Sequence, residues 1–328
     1  MRQNESFLEA MSVGDILDFS ILLFKNNFKQ LSIISLIIYA PLTLLSAFFS
    51  VDYYYNFLNF LNIFKDPSHY QSSMLTNSYM YRSAISTLIF FLSTILFFTI
   101  YAAADAAVSR IIYQDAVYGM KEKAFPSLKE GFRKLGSLFA QRLLLCIILS
   151  GLIFVFSILF VVLALAMIPA SRSVYGSEFI YVILMILIFI AIFALTIFFI
   201  IKLIFGLNVI AIDNGDIGKS FSKSWNLTKG SVFKISIVFL FAFFMYLTIT
   251  LITSLIPFTL QFLGKNTFTI LFISSQFFIT LLHPYFWTLI TVIYINLKIK
   301  KEGLDLELKV DKLLEAQANN EERNTDIE

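Results

Sequence analysis

The stretch that decides the fold is Phe179–Ile201, FIYVILMILIFIAIFALTIFFII, which has no charged residue in 23 positions. A helix needs about 20 apolar residues to cross the hydrocarbon core of a bilayer. Because no water is present there to pair with backbone groups, only helices and closed barrels can span it. We therefore predict that this stretch is a transmembrane helix.

Five other stretches of 22 to 32 residues also lack Asp, Glu, Lys and Arg. They are Gln30–Val51, Ser83–Ala104, Leu143–Ser171, Ile235–Gly264 and Asn266–Leu297. None has the alternation of polar and apolar residues that is typical of a membrane barrel strand. Only Lys265 separates the last two, and we predict a short turn over residues 257–266. The pattern predicts an all-α polytopic membrane protein with six transmembrane helices arranged as three hairpins.

The composition of the whole chain agrees with this class. Of 328 residues, 58% are hydrophobic and only 14% are charged, which excludes a water-soluble globule and a disordered chain. The single cysteine, Cys146, excludes an internal disulfide and a multi-thiolate metal site. The chain has no Walker loop, nucleophile elbow or zinc signature. We therefore expect no enzymatic activity, no cofactor and no metal.

The distribution of basic residues predicts the orientation. Residues 1–29, 105–142, 202–234 and 298–328 hold 21 of the 25 Lys and Arg residues. Basic loops stay on the cytoplasmic side of a membrane, so both termini are predicted to be cytoplasmic, in a bacterial plasma membrane. The expected partners are membrane lipids, through anionic headgroups at the cytoplasmic face, with a membrane protein as a further candidate, but not nucleic acid.

Three segments that precede the first, third and fifth spans share a pattern. Each opens with a capping residue and has an acid three positions later, which is the spacing of a capping box. The pairs are Ser12 and Asp15, Ser127 and Glu130, and Asp213 and Asp216. Apolar residues follow at helical spacing, so we predict a cytoplasmic amphipathic interface helix before each hairpin. The alternative is three unrelated surface helices that obey the same capping rules.

This pattern divides the chain into repeats. The predicted units are 11–104, 124–202 and 213–298, within a membrane domain that covers residues 1–302. Residues 303–328 are predicted to form an acidic cytoplasmic tail, with a short helix supported by Leu304, Leu308 and Leu313 and disorder beyond Ala318.

The loops between the spans are predicted from their composition. Nine aromatic residues in the first outer loop, 52–82, favour an interfacial flap, with a peptide or lipid contact surface as the alternative. His69 in this loop is too isolated for a metal site. For residues 105–126 we expect a solvated helix that runs to about Gly119 and pairs its charges.

His283 is the only ionisable residue well inside a predicted span. Pro284 follows it and removes the amide partner of a carbonyl one turn earlier. We expect His283 to satisfy that carbonyl, or to pair with Gln276 or a serine. A proton relay or a ligand contact is the alternative. Asp213 and Asp216 are interpreted as helix-capping residues, with a cation site as the alternative.

Three stretches carry a family resemblance. They are GDILDFSILLFKNNF at 14–28, DNGDIGKSFSKSWNLTKGSVFK at 213–234 and TVIYINLKIKKEGLD at 291–305. Together they resemble the membrane-domain family associated with glycerophosphoryl diester phosphodiesterases. Many of its members are stand-alone bacterial membrane proteins of unassigned role. The catalytic barrel is absent from this chain, so the resemblance does not imply the enzyme activity.

The resemblance marks a set of candidate structural or functional residues. With His283 and Pro284, they are Asp213, Asp216, Trp225, Lys229, Tyr294, Asn296, Lys298 and Glu302. The family usually has Tyr-x-Asp-x-Arg at the exit of its last helix, where this chain has Asn296 and Lys298. Because asparagine carries no charge, we expect an ion pair made by these positions to be weakened or lost.

Two functions remain open from the sequence. The first is a non-enzymatic membrane module that packs with lipid or a membrane partner, in membrane organisation or protection. The second is a transporter, or an export or immunity component, for a lipid or an amphipathic peptide. A cavity that spans the membrane between the hairpins would favour the second.

Overall fold

The chain is helical throughout the part that its computed structural model describes, which is residues 11–63, 77–170, 177–310 and 314. No strand occurs within these ranges, and the predicted all-α class is confirmed there. The helices are α1 (Val13–Ile34), α2 (Ala40–Ile63), α3 (Asn77–Phe98), α4 (Ile100–Tyr118), α5 (Ala124–Arg133), α6 (Leu135–Ala170), α7 (Ser177–Leu203), α8 (Gly206–Asp213), α9 (Ile217–Leu227), α10 (Val232–Thr259) and α11 (Lys265–Glu302). A π-helical turn, Ser35–Tyr39, joins α1 to α2.

Within the described residues, five continuous helical segments are long and apolar enough to cross a membrane. They are Val13–Val51, Leu135–Ile158, Ile183–Asp213, Val232–Thr259 and Lys265–Glu302. A sixth candidate is the pair Thr87–Leu96 and Ile100–Tyr118, which is bent by 45°. The chain is therefore a multi-pass membrane protein with five or six candidate spans. The predicted turn before α11 is present, as a 3-10 turn at Gln261–Leu263 followed by Gly264 at φ 103°.

The molecule has two levels that differ in burial. We call residues 36–63, 77–99, 143–170, 177–199 and 240–286 the apolar level, because large apolar side chains on its helices are exposed. Phe154 on α6 and Phe189 on α7, for example, are 65% and 66% exposed. We call residues 11–35, 100–142, 200–239 and 287–310 the basic end, which contains most of the buried core.

Helix α11 is the centre of the basic end. Residues 288–299 are buried without interruption, and a helix that is buried on all sides must be surrounded by other helices. α1, α4 and α10 pack around it. In α4 the small residues from Ala102 to Ala107 allow close approach. A Cβ atom on Gly131 of α5 would overlap the backbone carbonyl of Ala103.

The predicted capping boxes are confirmed in only one of three places. Ser12 and Asp15 form a complete box at the start of α1. Ser127 lies inside α5, which begins at Ala124, so that box is wrong. In the third segment the N-cap residue of α9 is Asp216, and the predicted capping role of Asp213 is wrong, because Asp213 is the last residue of α8. The separate first interface helix is also wrong, because α1 continues through the predicted break into the π-helical turn.

Two predicted loops are largely helical. α2 extends to Ile63 and α3 begins at Asn77, so much of the predicted outer loop 52–82 is helix. Residues 64–76, including His69, lie outside the described residues.

α4 ends at Gly119 with φ 68°, as expected, but it is not solvated: Ala102 to Ser109 are all buried. Residues 304–310 of the predicted tail are helical, with Leu304 and Leu308 in the core. Most of the tail beyond residue 310 lies outside the described residues.

Candidate functional site

A buried ion pair lies where the apolar level meets the basic end. Asp105 of α4 pairs with Arg142 of α6, and their side chains are only 3% and 5% exposed. The other carboxylate oxygen of Asp105 accepts a hydrogen bond from the hydroxyl of Tyr39. The guanidinium group of Arg142 lies 5.6 Å from the ring centroid of Trp287 on α11. Two ionised groups can be kept this far from water only because each is paired.

His283 extends this group to the outer side of α11. Its Nε2 atom lies 3.8 Å from Asp105 Oδ1, and its ring centroid lies 4.4 Å from that of Tyr39. Its side chain is 46% exposed, so one side faces the cluster and the other faces outward. We name Tyr39, Asp105, Arg142 and His283 the junction cluster. The expected partners of His283 were a backbone carbonyl, Gln276 or a serine, and the neighbour found is Asp105.

Three helix irregularities converge on the junction cluster. Tyr39 is the last residue of the π-helical turn. The 45° bend at Thr99 lies six residues before Asp105, and Pro284 directly follows His283. π-helical turns and interrupted helices occur frequently at functional sites, because they re-aim side chains and expose backbone groups. This convergence makes the junction cluster the strongest candidate for a functional site among the described residues.

A second charged group, the Asp213 cluster, lies at the far side of the basic end. The carboxylate of Asp213 accepts a hydrogen bond from the Tyr294 hydroxyl at 2.5 Å and pairs with Lys298 Nζ at 3.0 Å. Lys223 of α9 lies 2.6 Å from Asp213 and 2.8 Å from Glu302. These contacts tie the ends of α8, α9 and α11 together.

The charge balance of the Asp213 cluster keeps Lys223 protonated. Partial burial by itself would lower the pKa of Lys223. The hydrogen bonds to the carboxylates of Asp213 and Glu302 outweigh burial, and the pKa is raised above its ordinary value. Of the two positions at which we expect a weakened or lost ion pair, Lys298 pairs with Asp213, whereas the uncharged Asn296 accepts a backbone amide.

The structure brings together only some of the predicted candidate residues. Asp213, Tyr294, Lys298 and Glu302 are neighbours, whereas His283 and Pro284 lie about 15 residues earlier along α11. Asp216 accepts the Lys219 amide at 2.7 Å, as a capping residue. Asn296 accepts the Met11 amide at 3.0 Å, and Lys229 is exposed. The ring of Trp225 is partly exposed and lies beneath Lys202 Nζ, 4.9 Å from its centroid.

Sequence reasoning missed Tyr39, Asp105, Arg142 and Lys223. Asp105 and Arg142 were treated as the ends of charge-free stretches, and a cluster of ionisable partners around His283 was not expected. The available signal was the alanine-rich run on both sides of Asp105, which is typical of a closely packed buried helix rather than a solvated one.

The described residues include no group of three or more His, Cys, Asp or Glu side chains that could hold a metal ion. The two clusters pair opposite charges and join helices. Comparisons with protein-family models, curated proteins and solved structures found no match, so the family resemblance stays a prediction.

Proposed function

We propose that the chain is a non-enzymatic integral membrane module that packs with lipid or a membrane partner. The observation that carries the proposal is the contrast between the two levels. In the basic end the main acidic groups are paired with basic ones, as in the junction and Asp213 clusters. In the apolar level the exposed surface is made of large hydrocarbon side chains, which only lipid or another membrane helix can cover favourably.

We also propose how the module sits in the membrane. Six crossings, three hairpins and three repeated units agree with the packing of α6 against α7 and of α10 against α11. Placing both termini in the cytoplasm of a bacterial cell agrees with the sequence count, in which the predicted cytoplasmic segments hold 21 of the 25 basic residues. The ion pair between Asp105 and Arg142 then lies near the cytoplasmic boundary of the hydrocarbon.

The proposed contact with lipid headgroups rests on a set of exposed aromatic side chains in the basic end. They are 39% to 80% exposed and comprise Phe28, Phe125, Phe132, Phe139, Trp225 and Phe233. Aromatic rings favour the headgroup region, and neighbouring lysines such as Lys229 attract anionic lipids. α5 and α9, which carry three of these rings, are our candidates for amphipathic interface helices.

Lipid retention tests this proposal. The protein is reconstituted into nanodiscs of defined mixed lipid composition, extracted in mild detergent, and its bound lipids are quantified by mass spectrometry. We expect reproducible enrichment of particular lipids, or a stable oligomer, relative to a single-span control protein. A lipid-free monomer with no enrichment would overturn the proposal, as would hydrolysis of a lipid headgroup by the purified protein.

A second candidate function is transport or export of a lipid or an amphipathic peptide. It is favoured by a cavity of about 300 Å³ between α2, α3, α4 and α11, which lies mainly inside the apolar level. Another cavity, of about 360 Å³, lies in the basic end beside Asp213 and Lys298. Movement of a fluorescent lipid between the leaflets of proteoliposomes, faster than in liposomes without the protein, would favour this function over the first.

A further inference from the structure

The cavity between α2, α3, α4 and α11 has a polar lining in a mainly apolar part of the molecule. Its volume is about 300 Å³, at the lower end of the range for small-molecule sites. Six polar side chains line it, none of them charged: Thr43, Ser46, Ser50, Ser93, Tyr101 and Gln276. An uncharged polar lining is suited to a ligand that forms hydrogen bonds without an ionic group.

The cavity lies deep in the apolar level. Gln276 is 11 residues after the first residue of α11, which at the helical rise of 1.5 Å corresponds to about 16 Å along the axis. This is close to half of the roughly 30 Å hydrocarbon thickness of a bilayer. On either side of Gln276 along α11, Ile270 and Phe278 are strongly exposed. A ligand that reaches this depth must itself be soluble in the bilayer.

The cavity offers both donors and acceptors to an occupant. The hydroxyls of Thr43, Ser50 and Ser93 donate to carbonyls of their own helices, which leaves their oxygens free to accept. Within the described part of the chain, the amide of Gln276 and the hydroxyl of Tyr101 have no hydrogen-bond partner. Polar groups in a membrane interior normally find a partner, since an unpaired one is unfavourable. Two unpaired groups beside one cavity therefore point to a ligand.

We infer that this cavity binds the uncharged polar head of a lipid that bears hydroxyl and ester oxygens, as in a diacylglycerol. Gln276 and Tyr101 donate to its oxygens, and the serine and threonine oxygens accept from its hydroxyl. Ser46 is exposed, so the cavity opens to the surface of the helices. The acyl chains then lie along exposed residues of α2 and α3 such as Phe48 and Phe91.

The same geometry disfavours a charged head. A phosphate or carboxylate would lose its water without gaining a cation, because the cationic group of the nearby junction cluster, Arg142, is already paired with Asp105. Tyr101 connects the cavity to that cluster, since its ring centroid lies 5.0 Å from that of Tyr39. This inference rests on the proposed function, in that it requires the chain to lie in a bilayer and to retain lipid.

The experiment uses the full chain in phosphatidylcholine nanodiscs that contain dioleoylglycerol, or phosphatidylglycerol as the anionic comparison. Retained lipid is counted by mass spectrometry after extraction, for the wild type, Gln276→Leu, Tyr101→Phe and the double variant. Thr248→Val removes an exposed hydroxyl of α10 and serves as the matched control. A photoactivatable diacylglycerol maps the site in the wild type, which does not depend on how well any variant folds.

We expect the double variant to retain about tenfold less diacylglycerol, as two hydrogen bonds predict, with Thr248→Val and phosphatidylglycerol retention unchanged. The photoactivated label should fall on α2, α3, α4 or α11. Equal retention by wild type and double variant, or a label elsewhere, would overturn the site and leave the proposed function standing. A wild type that retains no lipid of any kind would overturn both. Displacement of diacylglycerol by an amphipathic peptide that labels the same helices would overturn the lipid assignment.

Discussion

The junction cluster makes a quantitative prediction about stability. Replacing Asp105 with asparagine keeps the size of the side chain but leaves the charge of Arg142, which is 5% exposed, without a counter-ion. Removing one partner of a buried ion pair costs roughly 3–5 kcal/mol. We therefore expect Asp105→Asn to lower the free energy of unfolding by about that amount, and Arg142→Met to lower it similarly.

The double variant separates charge pairing from packing. With both charges removed, no ion is left buried and unpaired, so Asp105→Asn combined with Arg142→Met should lie within about 2 kcal/mol of the wild type. The two substitutions then couple favourably, as groups in direct contact do. The matched control is Arg133→Met: this arginine also pairs with an acid, Glu130, but is 71% exposed, and should cost less than about 1 kcal/mol.

The measurement is equilibrium unfolding in mixed detergent micelles, followed by circular dichroism and repeated at two salt concentrations. The buried pair should respond little to salt, because screening acts mainly on exposed charges. Single variants that each cost less than 1 kcal/mol would refute the reasoning. So would a double variant whose cost equals the sum of the two single costs, because the groups would then be energetically independent.

Three further predictions concern the basic end. Gly131→Ala should destabilise the protein by about 1–3 kcal/mol, because its new Cβ overlaps a backbone carbonyl of α4. Gly136→Ala, whose new Cβ enters open space, should be neutral or stabilising. Thermal melting of the two variants tests this difference. Tyr294→Phe, which loses the donor to Asp213, should cost about 1.5–3 kcal/mol in the same unfolding assay. Because the pKa of Lys223 is raised in the folded protein, its ion pairs contribute fully to stability below the ordinary pKa of 10.5, and this contribution is lost as the pH rises through the folded-state pKa. The difference in unfolding free energy between wild type and Lys223→Met should therefore shrink above the folded-state pKa.

The apolar level was predictable from the sequence because its signal is local. Stretches such as Phe179–Ile201 are apolar enough to be recognised as transmembrane helices without reference to any other part of the chain. The end of α4 at Gly119 was predictable for the same reason, since glycine adopts the left-handed conformation that ends a helix. The capping box at Ser12 and Asp15 is also a local pattern.

The boundaries of the spans could not be predicted in the same way. A span that is defined by its lack of charged residues must end next to a charged residue. This definition alone places Asp105 and Arg142 outside the predicted membrane helices. In the folded chain a charge paired with an opposite charge is compatible with a continuous buried helix, and α6 runs through Arg142 without interruption. The pairing joins residues 37 positions apart, so no pattern within a short stretch of sequence predicts it.

The π-helical turn between α1 and α2 sets which residues of α2 face the junction cluster and the cavity. A regular helix repeats every 3.6 residues, and a π-helical turn inserts one extra residue, which rotates everything after it by about 100°. In α1 and α2 that rotation occurs at Ser35–Tyr39, directly before the cavity-lining residues Thr43 and Ser50. Tyr39 therefore faces Asp105 while the residues one and three turns later face the cavity. Because four and eleven residues are close to one and three whole turns, Tyr39, Thr43 and Ser50 share one face of the helix, and the hydroxyl that contacts the ion pair lies along the same surface as the polar cavity.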